Sequence, residues 1–326
     1  MNIYITLDYE LFFGKQTGTV SQCVIEPTRQ LLAILDPLSI KATFYVDAGY
    51  LMALQRQKDD VPQLQSDYDL IAGQIRELAQ AGHAIQLHIH PHWEDSFFKD
   101  GSWHIDTSRY RLADFSEAEV MELVTRYHEV LRGISGVACS SYRAGGWSAQ
   151  PFEAIGKALL ANNIQRDSTA FPGGYYNSDD QFYDFRSIQD FTTYYRFTED
   201  PNQPEKEGVF EEIPISAHRV SPLFFWRFVW VKLFGGKSHE AYGDGQAITK
   251  EKSDVLRLLT RYSRSVVSMD GYKASYLREA FNRYAKHADH ATNFVIIGHP
   301  KAFTPYSLKQ LKGFISRTDP VQYQLL

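Results

Sequence analysis

Residues 82–93 read GHAIQLHIHPHW, an apolar, β-branched run that ends in histidines at alternate positions and is cut off by a proline. The run has the composition of a strand, and Pro91 cannot continue a hydrogen-bonded ladder, so His88, His90 and His92 gather at the strand's C-terminal end. Just upstream, Ile71, Ile75 and Leu78 repeat at helical spacing and Gly82 closes that segment. A helix feeding a strand that carries polar side chains at its far end is the repeating unit of parallel α/β proteins.

Working outward, strand-like runs at 2–9, 42–47, 84–90, 141–145, 165–170, 209–215 and 294–298 alternate with helical segments, enough to nearly close a barrel. The helices are punctuated. Ser116 and Glu119 form a capping box ahead of the stripe Val120, Leu123, Val124, Tyr127 and Leu131, which is expected to stop before Gly133. Thr304 with Pro305 opens a last helix bearing Leu308, Leu311 and Ile315. At 326 residues the chain exceeds the roughly 250 of a single α/β barrel. The reading is therefore one barrel domain over 1–326 with insertions at about 173–208 and 217–250.

Composition narrows the functional classes. With 44% hydrophobic and 22% charged residues the chain is neither disordered, collagen-like nor coiled coil. Its 34 basic and 39 acidic residues give a net charge of −5, which leaves no footprint for nucleic acid. Two cysteines, Cys23 and Cys139, make no disulfide framework and suit a reducing compartment. The start, MNIYITLD, lacks the basic and apolar regions of a signal peptide, so the expected location is cytoplasmic. The window 222–236, PLFFWRFVWVKLFGG, is shorter than the ~20 residues of a spanning helix and contains Arg227 and Lys232. Being apolar almost all round, it is expected as a buried or lid helix. The alternative is an interfacial helix in peripheral contact with the inner face of a membrane.

Three clusters carry chemistry at strand ends, where parallel α/β folds assemble their sites. In Thr6-Leu7-Asp8-Tyr9-Glu10, alternation puts the two carboxylates on one face. His88, with either His90 or His92, supplies imidazoles to set beside them, and carboxylate plus imidazole is a donor set that Zn2+ accepts. The later segments YRAGGW (142–147) and IGHP (297–300) offer Arg143 as a carboxylate clamp, glycines with free N–H groups, and His299 as an acid or base near neutral pH.

In order and spacing these segments resemble the polysaccharide deacetylases of the NodB-homology class, carbohydrate esterase family four. Thr6–Glu10 is similar to the first motif, usually T-F-D-D, in a D-x-D/E form; His88-Ile89-His90-Pro91-His92 matches H-x-x-x-H. Tyr142–Trp147 is similar to the third motif without its proline, residues 166–172 (RDSTAFP) to the fourth, and residues 297–300 to the fifth. The resemblance implies a distorted (β/α)7 barrel that removes an N-acyl group, normally acetyl, from a sugar with one divalent ion, Zn2+ or else Co2+, Ni2+ or Fe2+. Under it Glu10, His88 and His92 would hold the ion, with His90 as a possible extra ligand. Asp8 would be the general base and His299 the acid; Arg143 would orient Asp8, and Asp167 would tune His299. A backbone N–H near Gly146 or Trp147 would face the oxyanion. Tyr9 stands where the second Asp is usual, so the roles of Asp8 and Glu10 could be exchanged.

Trp93, Trp103 and Trp147, with the aromatic 173–208 excursion, suit either stacking on sugar faces or core packing. The expected partner is an N-acylated sugar, nucleotide- or lipid-linked, in surface polysaccharide or O-antigen assembly. The same chemistry extends to a deformylase or another C–N hydrolase, and a barrel that binds carbohydrate without turning it over is the remaining alternative.

Overall fold

The computed structural model describes residues 1–14, 16–246, 252–287 and 292–326. Positions 247–250 of the expected second insertion lie outside them. Seven strands, β1 (Asn2–Tyr9), β2 (Thr43–Asp47), β3 (Ala84–Ile89), β4 (Ser141–Ala144), β5 (Arg166–Asp167), β6 (Phe210–Glu212) and β7 (Asn293–Gly298), form one parallel sheet. The first six lie side by side in chain order and β7 pairs with the free side of β1. A short strand, Tyr195–Phe197, adds antiparallel outside β6.

The ring closes between β6 and β7 chiefly through backbone, with Ser216 Oγ also accepting from Val295 N–H at 2.9 Å. Ser216 N–H donates to Val295 O (3.1 Å), Val267 N–H to Ser216 O (2.7 Å) and Ile297 N–H to Val267 O (3.0 Å). This is the expected distorted (β/α)7 barrel. Every residue of β2 and β7 is buried, as parallel strands covered by helices require.

Helices α1 (Glu26–Leu35), α2 (Ala48–Gln57), α3 (Pro62–Gln80), α4 (Glu117–Ser135) and α5 (Glu153–Ala161) connect β1 to β5; α6 (Pro222–Phe234), α7 (Lys252–Thr260) and α8 (Leu277–Ala285) lie between β6 and β7, and α9 (Pro305–Ile315) follows. In α4 the capping box forms as read: Ser116 Oγ accepts from Glu119 N–H, and the Glu119 carboxylate accepts from Ser116 N–H at 2.8 Å. Its end differs. The helix runs through Gly133 and stops at Gly136, whose φ of 77° is the left-handed conformation that glycine adopts freely. Ser116→Ala should cost about 1 kcal/mol in chemical denaturation, the usual worth of an N-cap; an unchanged midpoint would show that α4 is set by packing alone.

The first insertion is built of short pieces, notably the hairpin of Tyr175–Asn177 with Phe182–Asp184. The second stands on an antiparallel stem, Ala217–Val220 paired with Ser263–Val266, that continues past the end of β6. The expectation of burial for 223–234 does not hold. Only Phe224 of α6 is buried, and Leu223, Trp226, Trp230, Leu233 and Phe234 are exposed. Among the described residues α6 packs on α7 and, through Phe224 and Phe228, on Tyr272 and Tyr276, and these neighbours cover only part of a helix that is apolar on every side.

Candidate active site

Asp8 ends the polar face of β1, and Glu10, two residues on, shares that face; both are buried. Arg143, the third residue of β4, crosses the barrel interior with no solvent exposure. Its Nη1 donates to Asp8 Oδ1 (2.7 Å), Nη2 to Thr6 Oγ1 (3.0 Å) and Ser168 Oγ (3.1 Å), and Nε to Ser168 O (2.7 Å). One carboxylate oxygen of Asp8 is thereby tied and Oδ2 is left facing the cavity side, 3.6 Å from His299 Nε2.

Glu10, rather than Asp8, lies against the imidazoles. His88 Nδ1 donates to Arg143 O at 2.8 Å, an atom that only accepts, and Nε2 lies 3.2 Å from Glu10 Oε2, to which it donates when the ring is charged; burial disfavours that charge, but Asp8 and Glu10 outweigh it and raise the His88 pKa. His90 Nε2 approaches the same oxygen at 2.6 Å. Among the described residues Glu10, His88 and His90 are the group whose donor atoms lie within 4.8 Å of one another. When both rings are neutral, the carboxylate and the two buried imidazoles can turn lone pairs to one point, and a divalent ion of the zinc kind would fit this donor set. Burial would raise the Glu10 carboxyl, but Lys301 and His90, with the His88 hydrogen bond, outweigh it and hold Glu10 well below the usual carboxylate range.

His92 is placed elsewhere than the motif match implies. Alternation ends where Pro91–Glu94 turns into a 3-10 helix, so His92 leaves the face that His88 and His90 share. Its ring stacks on Tyr110 (5.6 Å between centroids, 13° between planes) and meets Phe13 edge-on. Neither ring nitrogen has a hydrogen-bond partner among the described residues, and burial together with His90 holds its pKa well below the ordinary value, which keeps the ring neutral.

His299 follows β7 and reaches back over the same end of the barrel. Its carboxylate partner is Asp270, not Asp167: Asp270 Oδ2 lies 2.8 Å from Nδ1 and Oδ1 accepts the His299 N–H at 2.8 Å. Burial disfavours the charged ring, but Asp270, Asp8 and Glu10 outweigh it and raise the His299 pKa. Asp167 is enclosed on β5, accepts from Thr169 Oγ1 at 2.5 Å, and is pushed up to about 6 chiefly by burial. Trp93, expected at the substrate, is fully buried and donates through Nε1 to Asp47 Oδ2 at 2.7 Å.

The groups open into a cavity of about 320 Å3 lined by Asp8, Glu10, His88, His90, His299 and Lys301, with Phe12, Phe13, Tyr110, Gly146, Trp147 and Ala302. Gly146 and Trp147 both take left-handed backbone, φ 58° and 60°, which turns this loop across the mouth. Trp147 also borders a second cavity of about 460 Å3, walled by Phe171, Tyr175, Tyr176, Tyr183, Gln181 and Tyr262 with Arg257 and Arg264.

Two working residues escaped the sequence reading. Lys301, whose Nζ donates to Glu10 Oε1 (2.9 Å) and to Leu11 O, stands two positions after His299 and was visible only as a neighbour of that histidine. Asp270 follows residues 267–269, a stretch too short to register as a strand, which pairs beside β7 through Ser268 and Ile297.

No protein-family model matches the chain, and no curated protein matches it. Among solved structures it is similar to a candidate polysaccharide deacetylase from Mycobacterium smegmatis, at 18% identity over 97% of this chain and 84% of the other, with a TM-score of 0.46. It is also similar to the Puue allantoinase, at 15% identity over 96% and 82% with a TM-score of 0.47. A polysaccharide deacetylase from Bacillus cereus follows at 12% identity over 99% and 90%, TM-score 0.40. At such identities the likeness concerns the course of the backbone, and the chemistry rests on the residues above.

The geometry separates the histidines experimentally. Untagged protein should carry about one divalent ion per chain, the single site of one carboxylate and two imidazoles. By elemental analysis His88→Ala and His90→Ala should lose the ion while His92→Ala keeps it; loss with His92→Ala and retention with His90→Ala would return the ligand set to the motif. Lys301→Met leaves a buried carboxylate short of a partner and should destabilise the metal-free protein by about 3 kcal/mol, the scale of a broken buried ion pair, with added divalent ion restoring part of it.

Proposed function

We propose that this protein is a metal-dependent amidohydrolase that removes the acyl group, acetyl in the first instance, from an acetamido sugar. The observation that carries the reading is the meeting in one cavity of a carboxylate held by arginine, an imidazole held by a carboxylate, and a buried group of one carboxylate and two imidazoles. A base, an acid and a cation site around one small volume are what amide hydrolysis needs.

An ion held by Glu10, His88 and His90 would supply Lewis acidity, polarising the amide carbonyl and making water a better nucleophile. Asp8, with Oδ1 fixed by Arg143, uses Oδ2 to take a proton from the attacking water as the new C–O bond forms. The carbonyl oxygen becomes an oxyanion, and backbone N–H groups of the Gly146–Trp147 loop are assigned to receive it. His299 in its charged form gives its proton to the nitrogen as the C–N bond breaks, releasing a carboxylic acid and the amino sugar. Asp8 and His299 lie 3.6 Å apart, so the proton on Asp8 has a short path back to the imidazole and the cycle closes.

The sugar assignment is supported by the aromatic second cavity beside Trp147, a surface on which further sugar rings can stack. We assign the reaction to a cytoplasmic precursor of surface polysaccharide, with the sugar on a lipid or nucleotide carrier; two free, buried cysteines suit a reducing compartment. Zn2+ is the ion proposed, and formamido sugars belong in the same screen.

The test is amine release from N-acetyl sugars, free, nucleotide-linked and lipid-linked, with and without chelator. Asp8→Asn should keep the ion and lose about 10²–10⁴-fold in rate, the range for removing a general base; an unchanged rate would end the assignment. Because Asp270 keeps His299 protonated to higher pH, Asp270→Asn should move the alkaline limb of the kcat/KM profile to lower pH. An unmoved limb would mean that the proton donor is another group.

A further inference from the structure

The apolar residues left uncovered on α6 are not scattered. Leu223, Trp226, Trp230 and Leu233 recur at steps of three and four, one stripe of a helix, and Phe234 widens it at the end. Trp226 is 55% exposed, Trp230 66% and Leu233 69%, an apolar surface that the described residues leave largely uncovered. On α7, which packs beside α6 through a hydrogen bond from Trp226 Nε1 to Leu259 O (3.0 Å), Leu256 adds to the same apolar area.

Charge selects what covers it. From 222 to 239 the chain has no Asp or Glu, while Arg227, Lys232 and Lys237 are all exposed. A segment of pure positive sign is anomalous in a protein of net charge −5 and complements an anionic surface. Exposed tryptophans with lysine and arginine at the margins of an apolar stripe are the composition of a helix that lies in a membrane interface. At 13 residues α6 is only about 20 Å long. None of the helices among the described residues is long and apolar enough to cross a membrane.

The location gives the patch a use. Ser216 is bonded at the level of Val295, so the stem that follows it rises to the rim where His299 stands, and α6 begins one residue beyond that stem. On the same excursion Arg257 and Leu258 of α7 wall the second cavity, which shares Trp147 with the first. The apolar stripe and the two cavities therefore belong to one end of the barrel.

We propose that the protein docks on an anionic membrane surface through the exposed face of α6 and Leu256, holding the mouth of its site toward the lipid headgroups. Docking selects a lipid-linked over a nucleotide-linked sugar, and only that last step rests on the deacetylase reading.

The test is flotation of the full chain with vesicles of phosphatidylcholine plus phosphatidylglycerol, beside vesicles of phosphatidylcholine alone. Wild type should float with the mixed vesicles, less so as salt rises, and its tryptophan emission should be quenched by brominated lipid. The double variant Trp230→Ser/Leu233→Ser should partition at least about tenfold more weakly. Both side chains are exposed, so its circular dichroism and its turnover of a water-soluble N-acetyl sugar should stay unchanged. Absence of wild-type flotation on either vesicle, or equal partition of the variant, overturns docking. A wild-type dimer that the variant converts to monomer, without vesicle binding, gives the face to a second copy of this chain. Since flotation is read without turnover, failure of docking and failure of the deacetylase reading are separate results.

Discussion

A guanidinium sealed inside a barrel has to be matched almost atom for atom, and Arg143 is. Its bonds reach Thr6 and Asp8 on β1 and both the carbonyl and the hydroxyl of Ser168 beyond β5, while its planar face lies 4.1 Å over the ring of Tyr45 on β2. Such a charge is costly to desolvate, and a buried ion pair of this kind does little for net stability compared with apolar packing. What it secures is geometry: three staves of the barrel and the Asp8 carboxylate are fixed by one side chain. Deeper in the wall, burial raises both Asp167 and Glu212, and Glu212 is raised further by the neighbouring Asp167.

The rest of the site follows from strand register. Extended backbone returns every second side chain to one face, so Asp8 with Glu10, and His88 with His90, are paired by the chain itself before any tertiary contact is made. Those faces meet because β1, β2 and β3 are adjacent and parallel. Close approach of the next loop depends on Gly145, where an added Cβ would collide with Ile89 O and lie 2.6 Å from His90 Nδ1. The ring of His90 is held where it is partly because nothing larger than hydrogen stands on that glycine.

Much of this was legible in the sequence because the signals were local and periodic. The seven strands, the capping box at Ser116 and the last helix at Thr304 each depend on residues within a few positions of one another. The two carboxylates and the histidine-rich strand end were legible for the same reason. Partners set by the closing of the ring were not. Asp270 meets His299 only because residues 267–269 slip in beside β7, and nothing near Asp270 in the chain announces that. His92 marks the limit from the other side: a motif counted in residues assumes continuing alternation, and the 3-10 turn begun by Pro91 rotates the ring into an aromatic box. On α6, hydropathy favoured burial and the structure shows exposure, since hydropathy measures what a helix could cover and not what is there to cover it.

The excursion that carries α6 is also sewn into the site. After α6 the chain returns along the turn that follows His299: Gly243 N–H donates to Lys301 O at 3.2 Å and Tyr242 N–H to Phe303 O at 2.9 Å. Gly243 can come this close only without a side chain, since a Cβ there would strike Lys301 O and lie 2.9 Å from the ring of Phe12. Lys301, held from behind by these bonds, points Nζ at Glu10 Oε1, and Glu10 gives its other oxygen to the imidazoles. Two steps of direct contact, Gly243 to Lys301 and Lys301 to Glu10, thus join the proposed docking helix's own segment to the carboxylate of the candidate cation site. Anything that shifts the 235–246 return must act on the placement of Lys301, and through it on how much negative charge Glu10 presents to an ion.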